Sequence, residues 1–239
     1  MTSIASPKLE TQSPTKAGRW PLLLQIALIM VLLFAPKLIP DLPYSGQFAM
    51  LLSLIGATWL LRRDGQRWRD LGLRWATSKK DLAKGAGMVV LVFVCAVAAN
   101  AVVQPILTAL LGSAAERDLP DVSTIQLYLI FMVMIWTTAS FGEEMVFRGF
   151  LMDRLSKIFG GTRYAWVLAA FIQAAIFGVG HAYQGIGGIL VTGVVGLVFG
   201  LLYLVARRNL WPVIIGHALI NTVGFTVLHL QATGAFPAS

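Results

Sequence analysis

The sequence predicts an all-α fold, a polytopic transmembrane bundle of about seven spans, or eight if an interfacial segment also crosses. Of its 239 residues 57% are hydrophobic and only 13% charged, and the mean hydropathy is +0.74, far from the composition of soluble domains. Seven apolar stretches are long enough, or nearly so, to cross the hydrocarbon core. The basic residues also alternate between the segments that join those stretches.

The first 19 residues are polar, rich in Ser, Thr and Pro, with Lys8, Lys16 and Arg19; they read as a disordered cytoplasmic tail. The apolar run at 20–36 is followed by no clear small-residue cleavage site, so it reads as an uncleaved first span. Further spans are expected at 44–61, 85–111, 122–142, 164–180, 185–206 and 210–230, making 20–230 one transmembrane domain followed by a short tail at 231–239. Between the second and third lies the one substantial polar connection, 64–84, in which Trp68, Leu71, Leu73 and Trp75 stand among the charges as interfacial anchors. Its Asp-Leu-Gly-Leu at 70–73 reads equally as a plain turn. The single cysteine, Cys95, lies in an apolar span, excludes an intramolecular disulfide and reads as packing. Gly196 and Gly200, four apart, let a neighbouring helix approach closely.

A net charge of +8 could suggest nucleic acid, but its distribution argues otherwise. Apart from Arg148, Lys and Arg total 16 in alternate segments and 2 in the others. That is the positive-inside pattern; it predicts a cytoplasmic N-terminus and an external C-terminus in an inner or plasma membrane. The charge therefore concerns topology and anionic lipid headgroups, and nucleic acid is excluded as a partner.

Against this apolar background, residues 139–151 (ASFGEEMVFRGFL) place Glu143, Glu144 and Arg148 directly after a span without a charge. Carboxylates at bilayer depth are costly unless paired or facing a wet cavity, so they mark a functional site. On a helix Glu144 and Arg148 share a face, while Glu143 points roughly 140° away from Arg148. A structural ion pair would explain Glu144 but leave Glu143 without a role. His181 closes the run FGVGH at the end of the fifth span, and His217 and Asn221, four apart in the seventh, share a face. His229 falls roughly 120° off that face and is set aside.

These residues resemble the three motifs of the CPBP intramembrane proteases, the family of CAAX-processing and bacteriocin-processing enzymes that includes the type II CAAX prenyl endopeptidases. Glu-Glu-x-x-x-Arg stands here as Glu143, Glu144 and Arg148, Phe-x-x-x-His as Phe177 and His181, and His-x-x-x-Asn as His217 and Asn221. The motif-bearing core is 122–230. The resemblance implies an intramembrane endopeptidase acting on a membrane-presented peptide or protein. It further implies that Glu143 activates water, that His181, His217 and Asn221 surround the scissile carbonyl, and that Arg148 organises the acidic helix. Asn221 and a histidine could donate to the developing oxyanion, where one donor is worth roughly 3 kcal/mol.

Glu143, His181 and His217 are also the candidate ligands of one divalent metal such as zinc, although His-Glu-x-x-His is absent; a metal-free glutamate mechanism is equally compatible. No Asp falls within the seven expected spans and no Gly-x-Ser-Gly occurs, which disfavours other intramembrane protease chemistries. A proton-coupled transporter using the same Glu and His residues is the alternative, but the polar residues lie in the second half with no echo in the first. At about 1.5 Å per residue, Glu143 lies some 16 to 18 Å from Arg154 and His217 about 15 Å from Arg207, whereas His181 lies roughly 27 Å from Arg163. Tilt or a deeper fifth span is expected to close that gap of about 10 Å.

Overall fold

The computed structural model describes residues 18–111 and 120–236. Its described helices are α1 (Arg19–Phe34), α2 (Ser45–Arg63), α3 (Lys79–Leu111), α4 (Ile125–Ile158), α5 (Arg163–Val179), α6 (Gly185–Val205) and α7 (Leu210–Ala232), with 3-10 turns at Ala35–Leu38 and Ala182–Gln184. Each of the seven apolar runs in the sequence has its helix. The chain is a polytopic helical bundle, and α1 with its 3-10 turn (Arg19–Leu38), α3, α4, α6 and α7 are by length and hydropathy able to cross a membrane. α5 is apolar but has only 17 residues, and α2 dilutes its apolar residues with Ser45, Gln47, Ser53 and Thr58. The tail expected at 1–19 falls, up to residue 17, outside the described residues.

Local chemistry sets the helix starts. Thr124, Thr162 and Asn209 precede α4, α5 and α7, and each side-chain oxygen accepts an orphan backbone N–H, from Leu127, Ala165 and Trp211. Gly160 and Gly161, at φ 93° and 71°, follow α4 in a conformation that glycine adopts freely.

Three boundaries differ from the hydropathy reading. α3 begins at Lys79 rather than 85, since its charged first turn needs no apolar cover at the membrane surface. α7 continues to Ala232, into the expected tail. The larger difference is in α4: the apolar span is expected at 122–142 with the helix ending near Arg154, whereas the helix runs from Ile125 to Ile158. Its polar turns are buried because they find partners: Arg154 Nε donates to Gln25 Oε1 at 2.6 Å, and its Nη1 donates to Gln66 Oε1 at 2.8 Å and to Asp153 Oδ2. Arg154 Nη2 also lies 3.4 Å from Asp64 Oδ2, and Lys157 Nζ pairs with Asp153 Oδ2 at 2.7 Å. Asp153 lies outside the span expected at 122–142 but inside the longer helix α4. It is already neutralised by Arg154 and Lys157.

α4 is the hub of the bundle, touching α1, α2, α5, α6 and α7, while α3 packs on α6 and α7 and the most extensive pairing joins α5 to α6. All eight residues of Glu144–Leu151 are buried, as expected of a helix enclosed on every side. Exposed Val90, Val94, Val97, Val102 and Ile106 of α3 form the lipid-facing exterior. The reading of Gly196 and Gly200 as close-approach positions holds: a Cβ on Gly196 would lie 2.8 Å from the Phe177 ring, and one on Gly200 would lie 2.7 Å from Gln173 Nε2.

The 70–73 segment is a turn docked on the connection between α6 and α7. Tyr203 donates its hydroxyl to the Leu71 carbonyl at 2.8 Å, the Leu210 amide donates to the Gly72 carbonyl at 2.9 Å, and Arg74 Nη2 donates to the Arg207 carbonyl at 3.0 Å. Gly72 has φ 105°, and a Cβ there would run into the Arg208 carbonyl. Gly72→Ala is therefore expected to destabilise the protein by about 1–3 kcal/mol, through left-handed backbone and a steric clash together; thermal unfolding in detergent, with Gly65→Ala as the comparison lacking the clash, measures it.

Candidate active site

Within α4, Ile135–Gly142 and Glu144–Leu151 wind as π-helix on either side of Glu143. Such i→i+5 winding is rare, is mostly limited to single turns, and is frequent at functional sites. Glu144 and Arg148 still meet: Arg148 Nη1 donates to Glu144 Oε1 at 2.8 Å, and both side chains are fully buried. The same Oε1 accepts a bond from His217 Nδ1 on α7 at 2.9 Å. A buried arginine and a histidine thus share Glu144 Oε1, tying the first motif to the third, while Glu144 Oε2 is buried without a hydrogen-bond partner among the described residues.

Arg148 gathers the rest. Its Nη2 donates to the Gly196 carbonyl of α6 at 3.0 Å, an oxygen that also accepts from Gln173 Nε2 of α5 at 3.0 Å. The guanidinium lies 4.7 Å from the centre of the Phe177 ring and 5.3 Å from that of Phe199, a cation held between two aromatic faces. Phe177 packs on His181 with centroids 4.7 Å apart, and Phe199 on His217 with centroids 4.9 Å apart. The three motifs therefore join through one chain of contacts, His181 to Phe177 to Arg148 to Phe199 to His217. The roughly 10 Å depth discrepancy shrinks because α4 extends to Ile158, adding four residues or about 6 Å to the depth of Glu143.

The two histidines are fixed in the same tautomer. His181 Nδ1 lies 2.8 Å from the Phe177 carbonyl oxygen, and His217 Nδ1 faces the Glu144 carboxylate. A carbonyl or carboxylate only accepts, so each Nδ1 carries a proton, and a ring that is neutral then keeps its lone pair on Nε2. In that form neither can donate to an oxyanion from Nε2.

Glu143 is half-buried, and its side chain makes no hydrogen bond or ion pair among the described residues. It interacts electrostatically with His181, His217, Glu144 and Arg148, and with Lys37. Asn221 is half-buried one turn beyond His217 on α7 and likewise has no hydrogen bond among the described residues. His229, set aside in the sequence, donates to the Val122 carbonyl at 2.6 Å and stacks on Tyr128 with centroids 4.8 Å apart, which ties α7 to the start of α4.

Several neighbours of the site escaped the sequence reading. Gln173 gave a signal, as a buried amide in an apolar span. Phe199 and the Gly196 carbonyl gave none, since one apolar residue or backbone oxygen looks like any other along α6. Lys37 counted only as a topological charge, yet its Nζ donates to the Gly180 carbonyl, beside His181, at 3.0 Å.

The second contacts of the histidines, Nδ1–H to a carboxylate and to a carbonyl, match those of metal-bound histidines. Among the described residues, however, no three His, Cys, Asp or Glu side chains are gathered closely enough to ligate one ion. As a set of ligands Glu143, His181 and His217 do not fit a metal in this arrangement, and no step below is routed through one.

Residues 125–223 match the family model described as type II CAAX prenyl endopeptidase Rce1-like. Neither the curated proteins nor the solved structures yield a match to the chain. The matched stretch contains α4, α5, α6 and most of α7, and with them Glu143, Glu144, Arg148, His181, His217 and Asn221. By that match and by the three motifs within it, the 125–223 segment is similar to the Rce1-like type II CAAX prenyl endopeptidases.

Proposed function

We propose that the chain is an intramembrane endopeptidase in which Glu143 takes the proton of the attacking water. The observation that carries this reading is the unequal treatment of the two glutamates. Glu144 is fully buried, paired with Arg148 and bonded to His217, whereas the Glu143 carboxylate has no hydrogen-bond donor among the described residues and interacts electrostatically with both histidines.

In this mechanism the Nε2 lone pair of one of the two histidines, His181 or His217, accepts one O–H of the water and orients it, and Glu143 accepts the other. Glu143 removes a proton as the oxygen attacks the scissile carbonyl carbon, and the π electrons of that carbonyl move onto its oxygen. The Asn221 amide, with two N–H donors free, stabilises the resulting oxyanion, where one donor supplies roughly 3 kcal/mol. Glu143 then returns its proton to the leaving nitrogen as the C–N bond breaks, giving a new carboxylate and a new amine. Arg148 touches neither water nor substrate. It holds Glu144, Phe177 and Phe199, and through them both histidines. The charge asymmetry supports a cytoplasmic N-terminus and an external C-terminus.

The test is the full chain reconstituted in vesicles and given a library of membrane-anchored peptides, with new termini identified by mass spectrometry. Cleavage that persists in 1,10-phenanthroline is the expected result. Loss of cleavage that zinc restores would assign water activation to a metal held by His181, His217 and Glu143. No new termini, together with proton-driven solute uptake abolished by Glu143→Gln, would make the chain a transporter.

A further inference from the structure

At the end of the bundle remote from His181, a cavity of about 540 Å³ opens between the end of α2 and the start of the 64–78 connection, lined by Thr58, Leu61, Arg62, Gly65, Gln66, Arg67 and Trp68. No carboxylate lines it. The nearby acids are committed elsewhere: Asp64 bonds Arg63, Gln25 and Arg154, and Asp70 accepts the backbone amide of Arg67 rather than its guanidinium. The guanidiniums of Arg62 and Arg67 have no hydrogen-bond or ion-pair partner among the described residues. Gln66 Oε1 accepts from Arg154, which leaves the Gln66 NH2 as a third unpartnered donor.

One apolar ridge leads away from this cavity. Leu51, Ile55 and Trp59 of α2 are 47, 65 and 58% exposed. Arg62 lies only about 20° from Leu51 around the helix, at 100° per residue. Cationic donors at the end of a membrane-facing apolar ridge are complementary to a ligand with an anionic head and acyl chains. Guanidinium, with its planar fork, suits phosphate oxygens, and basic residues just outside a span attract anionic headgroups.

We propose that this cavity binds the phosphate of an anionic phospholipid, with Arg62, Arg67 and Gln66 holding the headgroup and the acyl chains lying along Leu51, Ile55 and Trp59. The wall of the cavity and the buried clamp on α4 share a residue, because Gln66 bonds Arg154. The site needs no peptidase activity, and its test is independent of the proposed function.

The experiment is native mass spectrometry of the full chain released from detergent micelles containing phosphatidylglycerol or phosphatidylcholine, with inorganic phosphate as competitor. Arg62→Gln with Arg67→Gln is compared with Lys79→Gln with Lys80→Gln, which removes the same charge from exposed positions outside the cavity. The expected result is retention of phosphatidylglycerol over phosphatidylcholine by the native chain and the lysine variant, and a loss of retention of about tenfold or more in the arginine variant, as for a guanidinium–phosphate contact. Equal loss in both variants, or equal retention of both lipids, overturns the proposal. So does displacement of the lipid by millimolar inorganic phosphate, which would make the ligand a free phosphate.

Discussion

Glu143→Gln is expected to lower peptide cleavage in vesicles by at least about 10²-fold, the typical cost of losing a general base, while the yield of folded protein stays unchanged. The amide keeps the size and polarity of the carboxylate but cannot take a proton from water. Folding is preserved because the Glu143 side chain makes no hydrogen bond among the described residues and because a neutral amide is cheaper to bury than a charge. Rates normalised to monodisperse protein after size exclusion measure both effects. A Glu143→Gln protein with native turnover would remove Glu143 from the chemistry.

Arg148→Ala is expected to fail in the opposite way, by loss of folded protein. Removing a fully buried guanidinium strands Glu144 without its ion-pair partner, at a cost of about 3–5 kcal/mol, and empties the space between Phe177 and Phe199. It also takes one donor from the Gly196 carbonyl. Arg148→Lys keeps the charge but lacks the planar fork that bonds Glu144 and Gly196 together while stacking between two rings, so it recovers only part of the yield. Thermal unfolding and folded yield are the measurements; native stability in Arg148→Ala would show the pair to be dispensable.

What the sequence made legible divides along physical lines. Each helix was visible because a bilayer imposes a minimum apolar length on every span. The true end of α4 was hidden because hydropathy treats Asp153, Arg154 and Lys157 as surface residues, whereas mutual pairing and Gln25 and Gln66 allow Asp153 and Arg154 to be buried. The Glu144–Arg148 pair was legible from a local spacing of four. Its third member, His217, was not, because that bond joins residues 73 apart and depends on how α4 meets α7. For the same reason Phe199 and Lys37 left no mark in the motifs. The π winding around Glu143 left none either, since apolar runs specify that a segment is helical and not how its backbone bonds are registered.

The division of labour between the two glutamates is tested most directly by the cleavage rate per folded molecule of Glu143→Gln beside Glu144→Gln. Glu143→Gln should be folded and at least about 10²-fold slower. Glu144→Gln should be scarce, because it leaves Arg148 buried and unpaired, but the molecules that fold should lose less activity, since the amide oxygen introduced by that substitution can still accept from His217. The reverse pattern, with Glu143→Gln active and Glu144→Gln folded but inert, would contradict the assignment of Glu143 as the base.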